Sequence, residues 1–122
     1  MPGFRKLRTK VFVVEDNAVL RDRYAKELGE LAHVELCGVA ATAAAAVEGI
    51  ERAMPDLVIL DLSLKDSSGL DVLRANEGKA KPRFVVVTSH AEASIEKVCL
   101  ELGAERFFDK SNGFGELMDY LG

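Results

Sequence analysis

The chain has no tryptophan and only two cysteines, three prolines and two histidines among its 122 residues. Cys37 and Cys99 each sit among apolar residues, without a second Cys or His at zinc-ligand spacing. They read as reduced, buried thiols of a cytoplasmic protein, and the ligand count excludes a structural zinc site. No stretch approaches the ~18 consecutive apolar residues that a membrane span requires, so no membrane partner is expected. The start is basic but lacks the apolar core and small-residue cleavage site of a signal peptide. Positive charge is not in excess either: the net charge of −4 argues against direct nucleic-acid binding by the domain. The local exception is Arg5, Lys6, Arg8 and Lys10. The charges within residues 1–9 read as a solvated basic extension, favoured over a phosphate-binding arm, and Lys10 opens a single domain over residues 10–122.

With 48% hydrophobic and 30% charged residues, the chain can form one core of ordinary domain size. Patterns of β and α type alternate along it. Residues 10–15 contain Val11-Phe12-Val13-Val14, a β-branched and aromatic run expected to be a strand buried on both faces. Asp16 or Asn17 can cap the next helix, whose Leu20, Tyr24, Leu28 and Leu31 share one face, with Gly29 inside it. Residues 34–39 are less apolar, as befits an edge strand. Thr42 can cap a helix over residues 43–52, with alanines, Val47 and Ile50 facing inward and Pro55 ending it. Leu57-Val58-Ile59-Leu60 is a third strand, and Leu70, Val72 and Leu73 suggest a short helix ending near Gly78. Residues 84–87 form a fourth strand. Ile95, Val98, Cys99 and Leu102 mark a helix closed by Gly103. A short fifth strand over residues 106–109 precedes a last helix carrying Phe114, Leu117, Met118 and Leu121. Five strands alternating with five helices imply an α/β fold with parallel pairing and right-handed crossovers.

In such a sheet the chemistry lies beyond the carboxyl ends of the strands. Those ends carry Glu15 and Asp16, then Asp61, then Thr88, then Lys110. Two like charges at 4 Å repel by ~4 kcal/mol at an effective dielectric near 20, and one lysine cannot neutralise three carboxylates. A bound divalent cation is the economical remedy, and oxygen-only donors favour Mg²⁺ or Mn²⁺. An acidic metal cup with a lysine and a hydroxyl beside it suits phosphoryl transfer, in which a carboxylate can be the nucleophile.

Glu15-Asp16 after the first strand, Asp61 after the third, Gly69 eight positions on, Thr88 after the fourth, Gly103-Ala104 before the fifth and Lys110 after it resemble the receiver domain of bacterial two-component response regulators. The resemblance covers nearly the whole chain. It implies a flavodoxin-like, doubly wound five-stranded parallel sheet in the order 2-1-3-4-5 with five helices. It implies Asp61 as phosphoacceptor, with Asp16, Asp61 and the backbone carbonyl of Ser63 as direct metal ligands and Glu15 acting through metal-bound water. Thr88 and Lys110 are implied to hold phosphoryl oxygens, and Phe107 to be the switch aromatic that responds to Thr88. The implied partners are a sensor histidine kinase or histidine phosphotransfer protein as donor, and a downstream protein or output domain as target. Dimerisation on phosphorylation is left open.

Two departures stand out. Ser111 follows Lys110 where the family usually has a proline on a cis bond, and Lys65 stands where a proline is common after the phosphoacceptor. They keep open a non-phosphorylating, protein-binding pseudo-receiver. An aspartyl-phosphate hydrolase is less favoured, because its second acid two positions after the nucleophile is here Ser63. Each residue also has a plainer reading: Asp61 as a turn residue, Glu15-Asp16 as a cap, Thr88 as a β-former and Phe107 as core. By strand alternation one of Phe107 and Phe108 faces the core and the other the switch surface.

Overall fold

The structure is a computed structural model and describes residues 8–122; Arg5 and Lys6 lie outside the described residues. The elements run β1 (Thr9–Val14), α1 (Ala18–Gly29), β2 (Val34–Ala40), α2 (Ala43–Ala53), β3 (Leu57–Leu60), α3 (Gly69–Ala75), β4 (Arg83–Thr88), α4 (Ala93–Glu101), β5 (Ala104–Asp109) and α5 (Phe114–Leu121). The strands form one parallel sheet in the order β2-β1-β3-β4-β5, the doubly wound arrangement expected.

The alternation of side chains along the strands builds two cores. Val11 and Val13 of β1, Leu57 and Ile59 of β3 and Val85 and Val87 of β4 pack with Tyr24 and Leu28 of α1 and Leu117 of α5. Their neighbours Phe12, Val14, Val58, Leu60, Phe84 and Val86 face the other way, onto α2, α3 and α4. Each such side chain contributes about 1.5–3 kcal/mol by leaving water, which is why the central strands tolerate little but aliphatics. The Phe12 ring occupies space that only glycine leaves: a Cβ at Gly38 or Gly49 would approach it to 2.6 or 2.7 Å.

The caps follow the sequence. Asn17 Oδ1 accepts the Leu20 N–H at 3.0 Å, and Thr42 Oγ1 accepts the Ala45 N–H at 3.1 Å. Several expectations are corrected. Gly29 ends α1 instead of interrupting it, and Leu31 packs from the turn beyond. Val47 is partly exposed at the margin of α2's packed face, because the buried stripe of that helix is Ala43, Ala46 and Ile50. Cys37, on the edge strand, is only half-buried, whereas Cys99 is buried. The third helix stops at Ala75, and β5 begins at Ala104, two residues earlier than expected. No helix among the described residues is long and apolar enough to cross a membrane.

Candidate functional site

Parallel pairing sets the tips of β1, β3, β4 and β5 along one edge, and β1 and β3 flank the point where strand order reverses. The hydrogen-bond ladder continues one residue past the strands. The Glu15 N–H donates to Ala40 O at 2.9 Å, the Asp61 N–H to Val14 O at 3.0 Å and the Lys110 N–H to Thr88 O at 2.8 Å. The backbones that present the two acids and the lysine are therefore part of the sheet, not of loose loops.

The side chains converge. Carboxylate oxygens of Glu15, Asp16 and Asp61 all lie within 4.8 Å of one another. Glu15 and Asp61 are 1% and 3% exposed, and Asp16 is half-buried. Lys110 bridges the two buried acids, its Nζ standing 2.7 Å from Asp61 Oδ2 and 3.0 Å from Glu15 Oε1. The remaining oxygens meet backbone donors: Asn17 N–H reaches Glu15 Oε2 at 3.1 Å, and Ser63 N–H reaches Asp61 Oδ1 at 3.1 Å.

The electrostatics follow from burial and proximity. Burial raises the Glu15 pKa, and the Asp61 charge adds to that; the bonds from Lys110 and the Asn17 N–H pull the other way without cancelling it. Burial alone would depress the Lys110 pKa, but its bonds to Asp61 and Glu15 outweigh burial and raise it. Tyr24 lies beneath, 2% exposed, its phenol held well above the usual range by burial and then by the charges of Glu15 and Asp61. Three acids against one ammonium leave a surplus of negative charge walled by protein. The donors are hard oxygens, which fits Mg²⁺ or Mn²⁺ and not zinc or copper.

Thr88 is fully buried, and its Oγ1 accepts the His90 N–H at 3.2 Å. On β5, Phe108 joins the core shared with α1 and α5, while Phe107 is half-buried against the α2–α4 side, as alternation requires. The Ser63 side chain is exposed, as is Lys65. The one cis peptide bond among the described residues is Lys81–Pro82, so Lys110–Ser111 is trans, and Lys110 reaches both acids from that geometry.

Three further residues shape the site without a signal for that role in the sequence. Arg21 of α1 donates from a guanidinium nitrogen to Glu15 O at 2.9 Å, holding the turn that carries Glu15 and Asp16. Tyr24, a core position by its helical spacing, is also close enough to feel the charges of Glu15 and Asp61. Gly69 has a steric reason for its place: a Cβ there would stand 2.4 Å from Asp61 O and 2.8 Å from Leu62 Cα. Only glycine lets α3 start that close to the backbone of the candidate phosphoacceptor.

Residues 11–122 match the response regulator receiver domain family. The protein-glutamate methylesterase/protein-glutamine glutaminase of Treponema denticola is 30% identical over 107 residues, 85% of this chain and 29% of that protein. A protein-glutamate methylesterase/protein-glutamine glutaminase of Myxococcus xanthus is 36% identical over 103 residues, 83% of this chain and 30% of that protein. The chain thus spans less than a third of the length of these relatives. The BeF3-activated N-terminal receiver domain of Klebsiella pneumoniae RstA superposes with a TM-score of 0.79 at 29% identity, covering 92% of this chain and 94% of that one. The response regulator domain of Thermotoga maritima CheB shares the fold, with a TM-score of 0.83 at 24% identity over 93% and 90% of the two chains. Because the family match runs from β1 through α5, the chain belongs to the response regulator receiver domain family.

Proposed function

We propose that this domain, residues 10–122, is a phosphorylation switch of two-component signalling in the cytoplasm, with Asp61 as phosphoacceptor. The observation that carries this reading is the Lys110 amine 2.7 Å from Asp61 Oδ2 in a cup formed with Glu15 and Asp16. A sensor histidine kinase or histidine phosphotransfer protein presents a phosphohistidine. An Asp61 oxygen attacks the phosphorus in line, the N–P bond breaks, and the imidazole leaves with its electron pair, giving an acyl phosphate on Asp61.

Glu15, Asp16, Asp61 and the Ser63 carbonyl are the residues that would hold Mg²⁺, which when bound supplies positive charge beside the phosphoryl oxygens. The chain's own groups do the rest. Lys110 neutralises developing oxyanion charge, and the Ser63 N–H orients Asp61 through Oδ1. Burial of Asp61 and Glu15 keeps bulk water from competing for these contacts.

After transfer, the phosphoryl group offers three strong acceptor oxygens within reach of Lys110 and Thr88. The Thr88 hydroxyl turns toward it, and Phe107 moves into the space vacated. The surface of α4, β5 and α5 changes with it, and a downstream protein or output domain reads the change. Moving such an equilibrium from 1:99 to 99:1 takes ~5.5 kcal/mol of differential interaction. Two or three charge-assisted hydrogen bonds are of that order. The domain catalyses only its own phosphorylation and dephosphorylation.

The test is intact-mass measurement after incubation with Mg²⁺ and acetyl phosphate. The parent protein gains one phosphoryl group and Asp61→Asn gains none. A parent that stays unmodified, or an Asp61→Asn variant modified equally, overturns the proposal.

A further inference from the structure

A lysine serves an active site only if its Cα is held, because its four-carbon stem is otherwise free to swing. Upstream, the Lys110 N–H is fixed on Thr88 O at 2.8 Å. Downstream, the chain turns at once, the Asn112 N–H lying on Asp109 O at 3.3 Å. Gly113 packs so closely under this turn that a Cβ there would stand 2.4 Å from Asp109 O. Residue 111 is a serine, so no ring stiffens the backbone after the lysine.

A different device occupies that place. Asp109 Oδ1 accepts two bonds from Ser111, one from its N–H at 3.0 Å and one from its hydroxyl at 2.7 Å. Asp109 and Ser111 straddle Lys110, so this pair of bonds fixes the peptide units on both sides of the lysine. Asp109 is not one of the three acids that converge at the cup, and its carboxylate is used locally, on its own turn.

We infer that Asp109 and Ser111 are positioning residues for phosphoryl transfer: their bond pair closes the turn that delivers the Lys110 amine to Asp61. The inference rests on Asp61 being the phosphoacceptor. Lys110 acts on the phosphoryl group; Asp109 and Ser111 act through Lys110. Because the pair is exposed to solvent, its loss reorients the turn without opening the core.

The test compares the intact protein with Asp109→Ala, Asp109→Asn and Ser111→Ala. In Asp109→Ala, phosphorylation by acetyl phosphate with Mg²⁺ slows about tenfold, the scale expected when a charged group is displaced by a fraction of an ångström. Its Mg²⁺ affinity and urea midpoint stay at parent values. Asp109→Asn restores the rate, since its Oδ1 accepts the same two bonds, and Ser111→Ala, which keeps the N–H bond, falls between. A second measurement reads the lysine directly: labelling by an amine-reactive reagent, located by peptide mass, is several times faster at Lys110 in Asp109→Ala than in the parent. Parent-like rate and labelling in Asp109→Ala overturn the inference. So does a slow Asp109→Asn, or a loss that comes with equal loss of Mg²⁺ affinity or stability. If the parent accepts no phosphoryl group, the proposed function falls, while the labelling still decides whether the turn holds Lys110.

Discussion

Lys110 and Asp61 are 49 positions apart in the chain, yet their side chains meet at 2.7 Å. Nothing local brings them together. The sheet does so by placing the tips of β3 and β5 on either side of β4, with the lysine long enough to cross the gap. The same amine reaches Glu15 at 3.0 Å, so one cation ties three strand ends into one electrostatic unit.

Removing that cation leaves two buried carboxylates facing each other with only backbone donors. We expect Lys110→Met to lose about 1–3 kcal/mol of stability without metal. The figure is below that for a fully buried pair, because the lysine side chain is 23% exposed. Saturating Mg²⁺ recovers part of it by binding only the folded state. Urea denaturation at low ionic strength, with and without Mg²⁺, measures both effects. A variant as stable as the parent without metal contradicts the arrangement.

Gly69→Ala and Gly29→Ala separate close approach from helix propensity. At Gly69 the added methyl collides with Asp61 O at 2.4 Å, and at Gly29 nothing lies within 4 Å. Gly69→Ala is expected to cost about 1–3 kcal/mol through overpacking against the backbone and to slow phosphorylation by displacing Asp61. Gly29→Ala is expected to be neutral or stabilising by up to about 1 kcal/mol. Equal urea midpoints for the two variants contradict this.

Tyr24 supplies a pH signature. Burial first, then the charges of Glu15 and Asp61, raise its folded-state pKa above the ordinary 10.0. A raised folded pKa gives stability that is whole below the unfolded value and is lost as pH rises through the folded one. Stability therefore falls with increasing alkalinity above pH ~10, and Tyr24→Phe flattens that fall. In absorbance titration the Tyr24 phenolate appears only with unfolding. Ionisation of Tyr24 near pH 10 in the folded protein contradicts the burial described.

Much of this architecture was legible because burial on both faces leaves a simple trace. Val11-Phe12-Val13-Val14 and Leu57-Val58-Ile59-Leu60 leave little alternative to central strands. Once the strands are parallel, Glu15, Asp16, Asp61 and Lys110 must share an edge. What escaped depends on shape and reach. Val47 reads as core by residue type, but the buried stripe of α2 is the narrow one of Ala43, Ala46 and Ile50, which leaves Val47 at its margin, 37% exposed. Arg21 is a flexible side chain whose partner is a backbone carbonyl, and no residue pattern encodes that. Ser111 reads in the sequence as a missing proline; the bonds it makes to Asp109 depend on side-chain geometry that residue type does not encode.

The proposed relay from Thr88 to Phe107 has its own test. Thr88 is fully buried and Phe107 half-buried on the neighbouring strand, paired by register with Val86. Thr88→Ala is expected to accept a phosphoryl group while failing to move Phe107. Aromatic NMR of Phe107, with and without acetyl phosphate and Mg²⁺, separates the two steps. An unaltered Phe107 response in Thr88→Ala removes Thr88 from the relay.

The proposed switch depends on Glu15, Asp16 and Asp61 forming a site for one divalent cation beside Lys110. Titration with Mg²⁺, followed by the amide NMR signals of residues 15–17 and 61–63, tests it most directly. Saturable shifts are expected in both segments with a single shared dissociation constant, weakened at least tenfold in Asp16→Asn. Shifts that fail to saturate, or an Asp16→Asn variant that binds as the parent does, would contradict it.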